Sequence, residues 1–366
     1  MKIDFIISAL SSGGAERVAA IVANSLAKNY EHEISVITFY EEKEEDYHLD
    51  PAIKRIKLSN PKFVPNPALK NMFGLIKYYK FKENRPDIII SFITLTNLIS
   101  IIVAKLFSIK IIAQEHNSHL RYMEGRKKIS NFTKKHVYKM ANVVTLLTSF
   151  DIEFYNKHGV NTYVMPNPCS FTPIIDNKHK REKSILAVGN LTRFHHKGFD
   201  NLIKLIAPIL KKNPDWKLKI AGTGDGDVGL NYLKQLAKEN HILDKIEFIG
   251  FIKNIAEVMI QSSIFILPSR FEGLPMVLLE AMSQGMACIA YDCKTGPSDI
   301  IEHNINGLLI EDQNMIKMQH ALNELIINES LRQKLSENGI KSLDKYHISN
   351  ITKRYENLIL KIVNNS

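Results

Sequence analysis

Short apolar runs alternate with segments of helical period along this chain, and the alternation occurs twice, on either side of a proline-rich break. Ile3–Ile7, Glu33–Phe39, Ile88–Phe92, Lys110–Ala113 and Val143–Leu147 are short and rich in β-branched residues, so they read as buried strands. Helical patterns lie between them, from Ala15 to about Lys28 and from beyond Phe92 toward Phe107. Strand, helix, strand implies a parallel sheet, because parallel neighbours need a crossover connection rather than a tight turn.

The break runs from Val164 through Pro166-Asn167-Pro168 and Pro173 to the charged cluster Lys178-His179-Lys180-Arg181-Glu182-Lys183. Alternation restarts with strands at Ser184–Val188, Trp216–Ala221, Lys245–Phe248, Ile264–Leu267 and Ala287–Tyr291. Helices are expected over Asp200–Lys212 and Leu230–Lys238, from Pro275, and two or three times near the carboxyl end. The expected division is residues 1–168, residues 169–346 and a terminal segment 347–366. A hydrophobic fraction of 45% over 366 residues gives enough material for two cores.

Composition removes several classes. The 23% of charged residues and the absence of short repeats exclude a disordered chain or a solenoid. Three cysteines without a Cys-x2-Cys pair support neither a disulfide framework nor a structural zinc site, and point to a reducing cytoplasm. The amino terminus lacks the pattern of a signal peptide, so the expectation is a protein that is not exported. Ile88 to Ala104 carries no charge, but Ser91, Thr94, Thr96, Asn97 and Ser100 make it buried strand, loop and helix rather than a membrane span.

The net charge of +10 is unevenly placed. Between Lys105 and Lys139 nine Lys or Arg, Arg121 among them, face only Glu115 and Glu124. Ile129, Phe132, Val137 and Met140 fall near helical spacing there, giving a basic face opposite an apolar one. That segment is either a surface helix packed on its own domain or a docking element for an anionic membrane surface or a pyrophosphate-bearing molecule. No helix-turn-helix, zinc or RNA-recognition pattern accompanies the charge, so nucleic acid is not the expected partner.

In doubly wound sheets ligands bind at the carboxyl ends of strands, so the loops that follow strands are the candidates. Ser11-Ser12-Gly13-Gly14-Ala15-Glu16-Arg17 follows the first strand; it is either a close-packing turn or a place where backbone and a helix start meet an anion. Gly222-Thr223-Gly224-Asp225-Gly226-Asp227-Val228-Gly229 matches a dinucleotide fingerprint, with Glu247 beyond it, although Asp225 and Asp227 would repel a pyrophosphate. In Ser269-Arg270-Phe271-Glu272-Gly273-Leu274-Pro275-Met276, Glu272 stands outside a helix whose first turn is expected to hold Pro275, and Glu280 lies inside it. Either glutamate is a solvated or dipole-complementing charge, or the first accepts from sugar hydroxyls and the second from a ribose diol. Gly189-Asn190-Leu191-Thr192-Arg193-Phe194-His195-His196-Lys197 offers Arg193 and Lys197 to a diphosphate, while the adjacent histidines lack a third ligand for a metal. Gln114-Glu115-His116-Asn117-Ser118 puts a histidine at a strand end, where it is either structural or able to donate to a substrate hydroxyl.

Together these stretches resemble the retaining, nucleotide-sugar-dependent glycosyltransferases of family 4. Phe271-Glu272-Gly273-Leu274-Pro275-Met276-Val277-Leu278-Leu279-Glu280 looks like that family's Glu-x7-Glu signature, and Ser12-Gly13-Gly14-Ala15-Glu16-Arg17 like its glycine loop. Thr295-Gly296-Pro297-Ser298-Asp299 and Asn306-Gly307-Leu308-Leu309 look like stretches of bacterial members that build O-antigens, capsules and lipid-linked oligosaccharides, N-acetylgalactosaminyltransferases included.

The resemblance implies the α/β GT-B fold, two facing Rossmann-like domains with a deep inter-domain cleft, the first taking acceptor and the second donor. It implies that Glu272 holds the donor sugar with the backbone of Gly273, Leu274, Pro275 and Met276, that Glu280 binds ribose, and that Arg193 and Lys197 meet the diphosphate. Gly13, Gly14, Asn190 and Gly222 complete the donor-binding set, and His116 sits beside the reacting sugar. Many members carry Arg where this chain has Asn190, so the positive charge must come from Arg193 or elsewhere. The segment from Ile348 to about Val363 resembles the helix that returns to the first domain.

The expected activity is that of a retaining, metal-independent hexosyltransferase using a UDP-sugar as co-substrate, without a further cofactor, on a polyprenyl-linked saccharide. Its expected location is cytoplasmic, peripheral on the inner face of the cell membrane. A NAD(P)-dependent sugar-nucleotide oxidoreductase or epimerase, and a non-catalytic saccharide-binding protein, are the rival readings.

Overall fold

A computed structural model describes residues 1–11, 13–58, 64–120, 125–177 and 180–364. Ser12, Arg121, Glu124, Lys178 and His179, which figure in the sequence reading, lie outside the described residues. The chain forms two compact units, Met1–Pro168 joined by the segment from Tyr346 onward, and Cys169–Lys345.

The first unit is built on seven parallel strands: β1 Lys2–Ile7, β2 Glu33–Thr38, β3 Lys54–Lys57, β4 Ile88–Phe92, β5 Lys110–Glu115, β6 Val143–Leu146 and β7 Thr162–Val164. Their order is β3-β2-β1-β4-β5-β6-β7. β1, β4 and β6 are buried along nearly their whole length, as expected for strands covered on both faces. Asp4 is the exception in composition: it is fully buried in β1, where Tyr79 Oη donates to Oδ2 at 2.7 Å and burial pushes the carboxyl up to about 6.

The helix Ile348–Asn364 belongs to this unit. His32 Nε2 meets Glu356 Oε2 at 2.7 Å, Thr352 Oγ1 donates to Ser25 Oγ at 2.8 Å, and Tyr355 Oη donates to Gln114 Oε1 at 2.8 Å.

The second unit has six parallel strands: β8 Glu182–Val188, β9 Lys217–Ala221, β10 Ile246–Gly250, β11 Ser262–Leu267, β12 Ala287–Asp292 and β13 Leu308–Glu311. Their order is β10-β9-β8-β11-β12-β13. One core cluster unites the inner faces of these strands with the helix Phe199–Lys212, whose Phe199, Leu202, Ile203, Leu205, Ile206 and Leu210 recur at helical spacing. In both units the strand order reverses beside the first strand, between β1 and β4 and between β8 and β11. Loops leaving those pairs flank a crevice in any doubly wound sheet.

Three departures from the sequence reading have identifiable causes. β3, β7 and β13 are edge strands of four, three and four residues, too short for a period-2 signal. The helix after β11 begins at Met276, with Pro275 as its cap rather than in its first turn, because Pro275 has ψ of 99°. The basic segment is not one amphipathic α-helix: Lys127–Phe132 is α, Thr133–Val137 a π turn and Tyr138–Met140 a 3-10 turn. Ser130, Thr133, Lys134, Val137 and Tyr138 face inward at ordinary helical spacing, while Ile129, Phe132 and Met140 are exposed.

Candidate active site

In the second unit the strand reversal brings together loops more than 70 residues apart in sequence. Lys197 follows β8 and Glu272 follows β11; Lys197 Nζ donates to Glu272 Oε1 at 2.8 Å, and Ser269 Oγ donates to the same oxygen at 2.6 Å. Both side chains are largely shielded, 18% exposed for Lys197 and 9% for Glu272. Burial pushes the Glu272 carboxyl up, but the Lys197 charge, the hydrogen bonds from Lys197 and Ser269 and the nearby His196 outweigh it and hold the group below its ordinary value. Glu272 is therefore a carboxylate at neutral pH, with its second oxygen available to accept. Thr295 Oγ1 donates to the Glu272 carbonyl and so pins the backbone of the same residue from the loop after β12.

Arg270 holds this arrangement in place. Its Nη1 and Nη2 donate to Asp200 Oδ1 and Oδ2 at 2.7 and 3.1 Å, its Nη1 also reaches the His195 carbonyl, and its backbone N–H donates to the His196 carbonyl at 3.0 Å. The β8 loop that carries Lys197 is thereby clamped to the β11 loop that carries Glu272. Sequence reasoning assigned roles to neither Arg270 nor Thr295, since both act through contacts distant in sequence.

The remaining residues of the second unit divide. Glu280 is buried in the helix Met276–Ser283 and accepts from Ser170 Oγ at 2.5 Å. Leu274 and Pro275 are buried, Gly273 and Met276 half-buried, at the start of that helix. Asn190 is exposed and uses its side chain locally, accepting from the Thr192 N–H at 2.8 Å. Arg193 is also exposed and turns to His196, Nη2 to Nε2 at 3.2 Å, rather than to the Lys197–Glu272 pair.

The glycines after β9 have a packing explanation. Gly222 has φ of +132°, and a Cβ there would stand 1.9 Å from the Gly189 carbonyl oxygen. A Cβ on Gly224 would meet Thr192 N at 2.6 Å, and one on Gly229 the Leu191 carbonyl oxygen at 2.1 Å. These glycines let the β9 loop lie against the β8 loop, where Leu191 N–H donates to the Thr223 carbonyl at 2.9 Å. Glu247, the residue a dinucleotide reading reserves for ribose, is paired with Lys217 at 2.7 Å. The loop also leaves β9, one strand away from the reversal, and the dinucleotide reading loses its support.

In the first unit Gly13 caps the helix Gly14–Asn29, which starts one residue earlier than the pattern suggests. A Cβ on Gly13 would fall 1.8 Å from Glu16 Oε2, so the Glu16 carboxyl lies over the helix start where an anion would sit, and burial pushes that carboxyl up.

His116 follows β5. Its ring stacks on Phe92 at 5.5 Å, Phe92 stacks on Phe5 at 5.9 Å, and its buried Nε2 has no hydrogen-bond partner among the described residues. Burial lowers its pKa to about 4, so the imidazole is neutral. The preceding Glu115 is fixed by Thr94 Oγ1 at 2.7 Å, Tyr138 Oη at 2.8 Å and the Asn117 N–H at 3.1 Å. Ile93, after β4 at the reversal, has φ of 72° and ψ of 138°, a conformation that costs a β-branched residue of order 1–3 kcal/mol. A β-branched residue gives no sequence signal for positive φ, and Ile93 was not foreseen.

Similarity to known proteins covers the whole chain. Residues 12–170 match the model described as Glycosyltransferase Family 4, and residues 172–342 the one described as Glycosyl transferases group 1. An uncharacterized glycosyltransferase of Haemophilus influenzae is 32% identical over 97% of this chain and 98% of its own length. The Campylobacter jejuni GalNAc-alpha-(1->4)-GalNAc-alpha-(1->3)-diNAcBac-PP-undecaprenol alpha-1,4-N-acetyl-D-galactosaminyltransferase is 31% identical over 100% of this chain and 99% of its own. Among solved structures, sucrose-phosphate synthase from Thermosynechococcus elongatus superposes with a TM-score of 0.83 at 18% identity over 100% of both chains. HepE of Anabaena in complex with UDP gives 0.79 at 16% identity, over 99% of this chain and 100% of its own. Two parallel-sheet α/β units, a Lys–Glu pair at the strand reversal of the second and matches spanning both make this chain a member of glycosyltransferase family 4, with the GT-B fold.

Proposed function

We propose that this glycosyltransferase moves a hexose or N-acetylhexosamine from a UDP-sugar to a polyprenyl-diphosphate-linked saccharide, with retention of configuration. The observation that carries the reading is the Lys197–Glu272 pair, an ammonium and an ionised carboxylate held 2.8 Å apart on loops flanking the reversal. Such a pair can serve both ends of a nucleotide sugar: Lys197 donates to the diphosphate, and Glu272 accepts from hydroxyls of the transferred sugar. The first N–H groups of the helix from Met276 face the same charge, with the backbone from Gly273 to Met276 against the sugar. Glu280 takes the ribose diol, next to the Ser170 hydroxyl it accepts in this structure. Arg193 reaches the diphosphate only by turning from His196, and Asn190, Gly222, Gly13 and Gly14 shape loops around the donor. His116, neutral and with Nε2 unpartnered among the described residues, is the group proposed to donate to a hydroxyl of the transferred sugar.

As the anomeric C–O bond breaks, negative charge grows on the diphosphate and positive charge on the sugar. Lys197 and the helix start stabilise the first, and the Glu272 carboxylate stabilises the second. The acceptor oxygen attacks from the face the diphosphate leaves, and its proton passes to a diphosphate oxygen, which accounts for retention without a separate base. The charges come from the chain itself, so the proposed reaction is metal-independent. The acceptor class rests on the names of similar proteins, of which the Campylobacter jejuni transferase acts on an undecaprenol diphosphate. A lipid-borne acceptor places the enzyme at the inner face of the cell membrane, its first unit holding the acceptor and its second the donor. Among the described residues no helix is long and apolar enough to cross a membrane.

The test is release of nucleoside diphosphate from a panel of UDP- and GDP-sugars, with polyprenyl-diphosphate saccharide as acceptor, with and without a chelator. Release from a UDP-sugar that the acceptor accelerates, that survives chelation and that collapses in Glu272→Ala supports the proposal. Equal release by Glu272→Ala, or a donor requirement for GDP, refutes the corresponding part.

A further inference from the structure

Three neighbouring elements cover one face of the first sheet: the helix Pro67–Tyr79, the helix Thr94–Leu106 beside it, and the segment Lys127–Met140 on the other side. Their inner sides supply Leu75, Tyr79, Ile101, Val103 and Tyr138 to the core under them. Their outer sides carry large apolar side chains among the polar ones expected of surface helices. Leu69 and Phe73 are 46% and 45% exposed, Ile102 and Leu106 39% and 59%, and Ile129 and Phe132 41% and 56%. Each pair is spaced by three or four residues, so it stands on one side of its own helix. In the third element Lys134 is buried, 1% exposed, and Phe132 lies outside, the reverse of what burial of apolar surface would favour.

The charge on these elements is of one sign. Pro67–Tyr79, Thr94–Leu106 and Lys127–Met140 contain eight lysines and not one Asp or Glu, although acids number 38 in the whole chain. Lys105, Lys128, Lys135 and Lys139 are exposed and, among the described residues, pair with no carboxylate. Large apolar side chains ringed by lysines, without acids, match the boundary between acyl chains and anionic headgroups. A protein partner of opposite charge would explain the lysines but leave the apolar side chains to be covered separately.

We infer that this three-helix face is a membrane-docking surface, which lays Leu69, Phe73, Ile102, Leu106, Ile129 and Phe132 into the headgroup region of an anionic phospholipid bilayer while the lysines meet its phosphates. The inference rests on the reading of a lipid-borne acceptor, and names the surface that brings the first unit to it.

The experiment is co-sedimentation of the full chain with vesicles of phosphatidylcholine alone and of phosphatidylcholine with phosphatidylglycerol. Binding is expected only to the anionic vesicles. Each Lys→Gln change among Lys105, Lys128, Lys135 and Lys139 should weaken it about fivefold at low salt. The triple variant Phe73→Ser/Leu106→Ser/Phe132→Ser should abolish the binding that persists at high salt. Release of nucleoside diphosphate without acceptor, measured on every variant, reports on folding and on the donor site separately. A triple variant that still hydrolyses donor but no longer binds vesicles supports the proposal. Unchanged vesicle binding by the variants overturns it, as does the absence of binding to anionic vesicles by a wild type that hydrolyses donor. So does a wild-type dimer that the triple variant dissociates, since a second copy would then be the occupant. Loss of donor hydrolysis in Glu272→Ala with vesicle binding intact keeps this surface separate from the transfer site.

Discussion

Lys197 Nζ and Glu272 Oε1 lie 2.8 Å apart, on loops that leave two neighbouring strands of the second sheet. Neither residue reaches water freely, and the Lys197 charge helps to keep the Glu272 carboxyl ionised. Replacing Lys197 by Ala strands a shielded carboxylate and should cost about 3 kcal/mol of stability at neutral pH. A folded-state pKa below the ordinary value gives stability present above the unfolded carboxylate pKa and lost as pH falls through the folded one. The deficit of Lys197→Ala should therefore shrink as pH falls toward about 4, and Glu272→Gln should relieve most of it in the double variant. Chemical denaturation of the four proteins at two pH values measures this, and a deficit constant with pH would refute the coupling.

Arg270 grips both carboxylate oxygens of Asp200, at 2.7 and 3.1 Å, and so fixes the Lys197 loop without touching Lys197. Arg270→Lys keeps the charge but loses the fork, and should lower kcat/KM about tenfold with little change in melting temperature. Asp200→Asn should behave alike, and the double variant should be no worse than either single one. Additive losses would mean that the two residues act independently.

Gly222 carries φ of +132° with the Gly189 carbonyl oxygen 1.9 Å from any added Cβ, whereas Gly226 carries φ of +70° in open space. Gly226→Ala should cost about 1 kcal/mol for its backbone alone. Gly222→Ala should cost at least twice as much and also weaken donor binding by displacing the β8 loop, as read by thermal unfolding and by titration with UDP. Equal effects at the two sites would mean that the loops do not depend on close contact.

His116 has its pKa lowered to about 4 by burial, from an ordinary value near 6.5. An unfolded chain takes up the proton first, so this residue should cost stability as pH falls from about 6.5 to about 4 and contribute no pH dependence above that range. His116→Asn should flatten that limb of the stability curve while removing most transfer activity. An unchanged acid limb would show that His116 is solvated.

The acid titration of Asp4 runs the other way. Its folded-state value of about 6 lies above the ordinary carboxylate value, so the contribution of Asp4 to stability is greatest at low pH and is lost as pH rises through about 4 to 6. Asp4→Asn, which still accepts from Tyr79, should gain on wild type across that interval in melting temperature. A difference that does not vary with pH would refute it.

The two parallel sheets, and the strand-end loops that make up the candidate site, are legible in the amino-acid order alone. Continuous β-branched runs such as Ile88–Phe92 cannot be solvated, and helical periods between them force crossovers, so strand ends are where chemistry collects. The amino-acid order also marked Glu272 and Glu280, because a glutamate outside a helix start and another within it is a local pattern. Tertiary structure alone decided that β8 pairs with β11, and hence that Lys197 meets Glu272 while Arg193, four residues earlier, turns to His196. It decided that the glycines after β9 serve loop packing, since only the position of Gly189 and Thr192 shows what a Cβ would strike. It also put Phe132 outside and Lys134 inside, because the side of that segment that meets the sheet is chosen by packing and not by hydrophobicity. The division has one physical cause. Periodicity and burial act within a few residues of chain, whereas strand neighbours, close backbone contacts and helix phase are set by parts of the molecule that lie far apart in sequence.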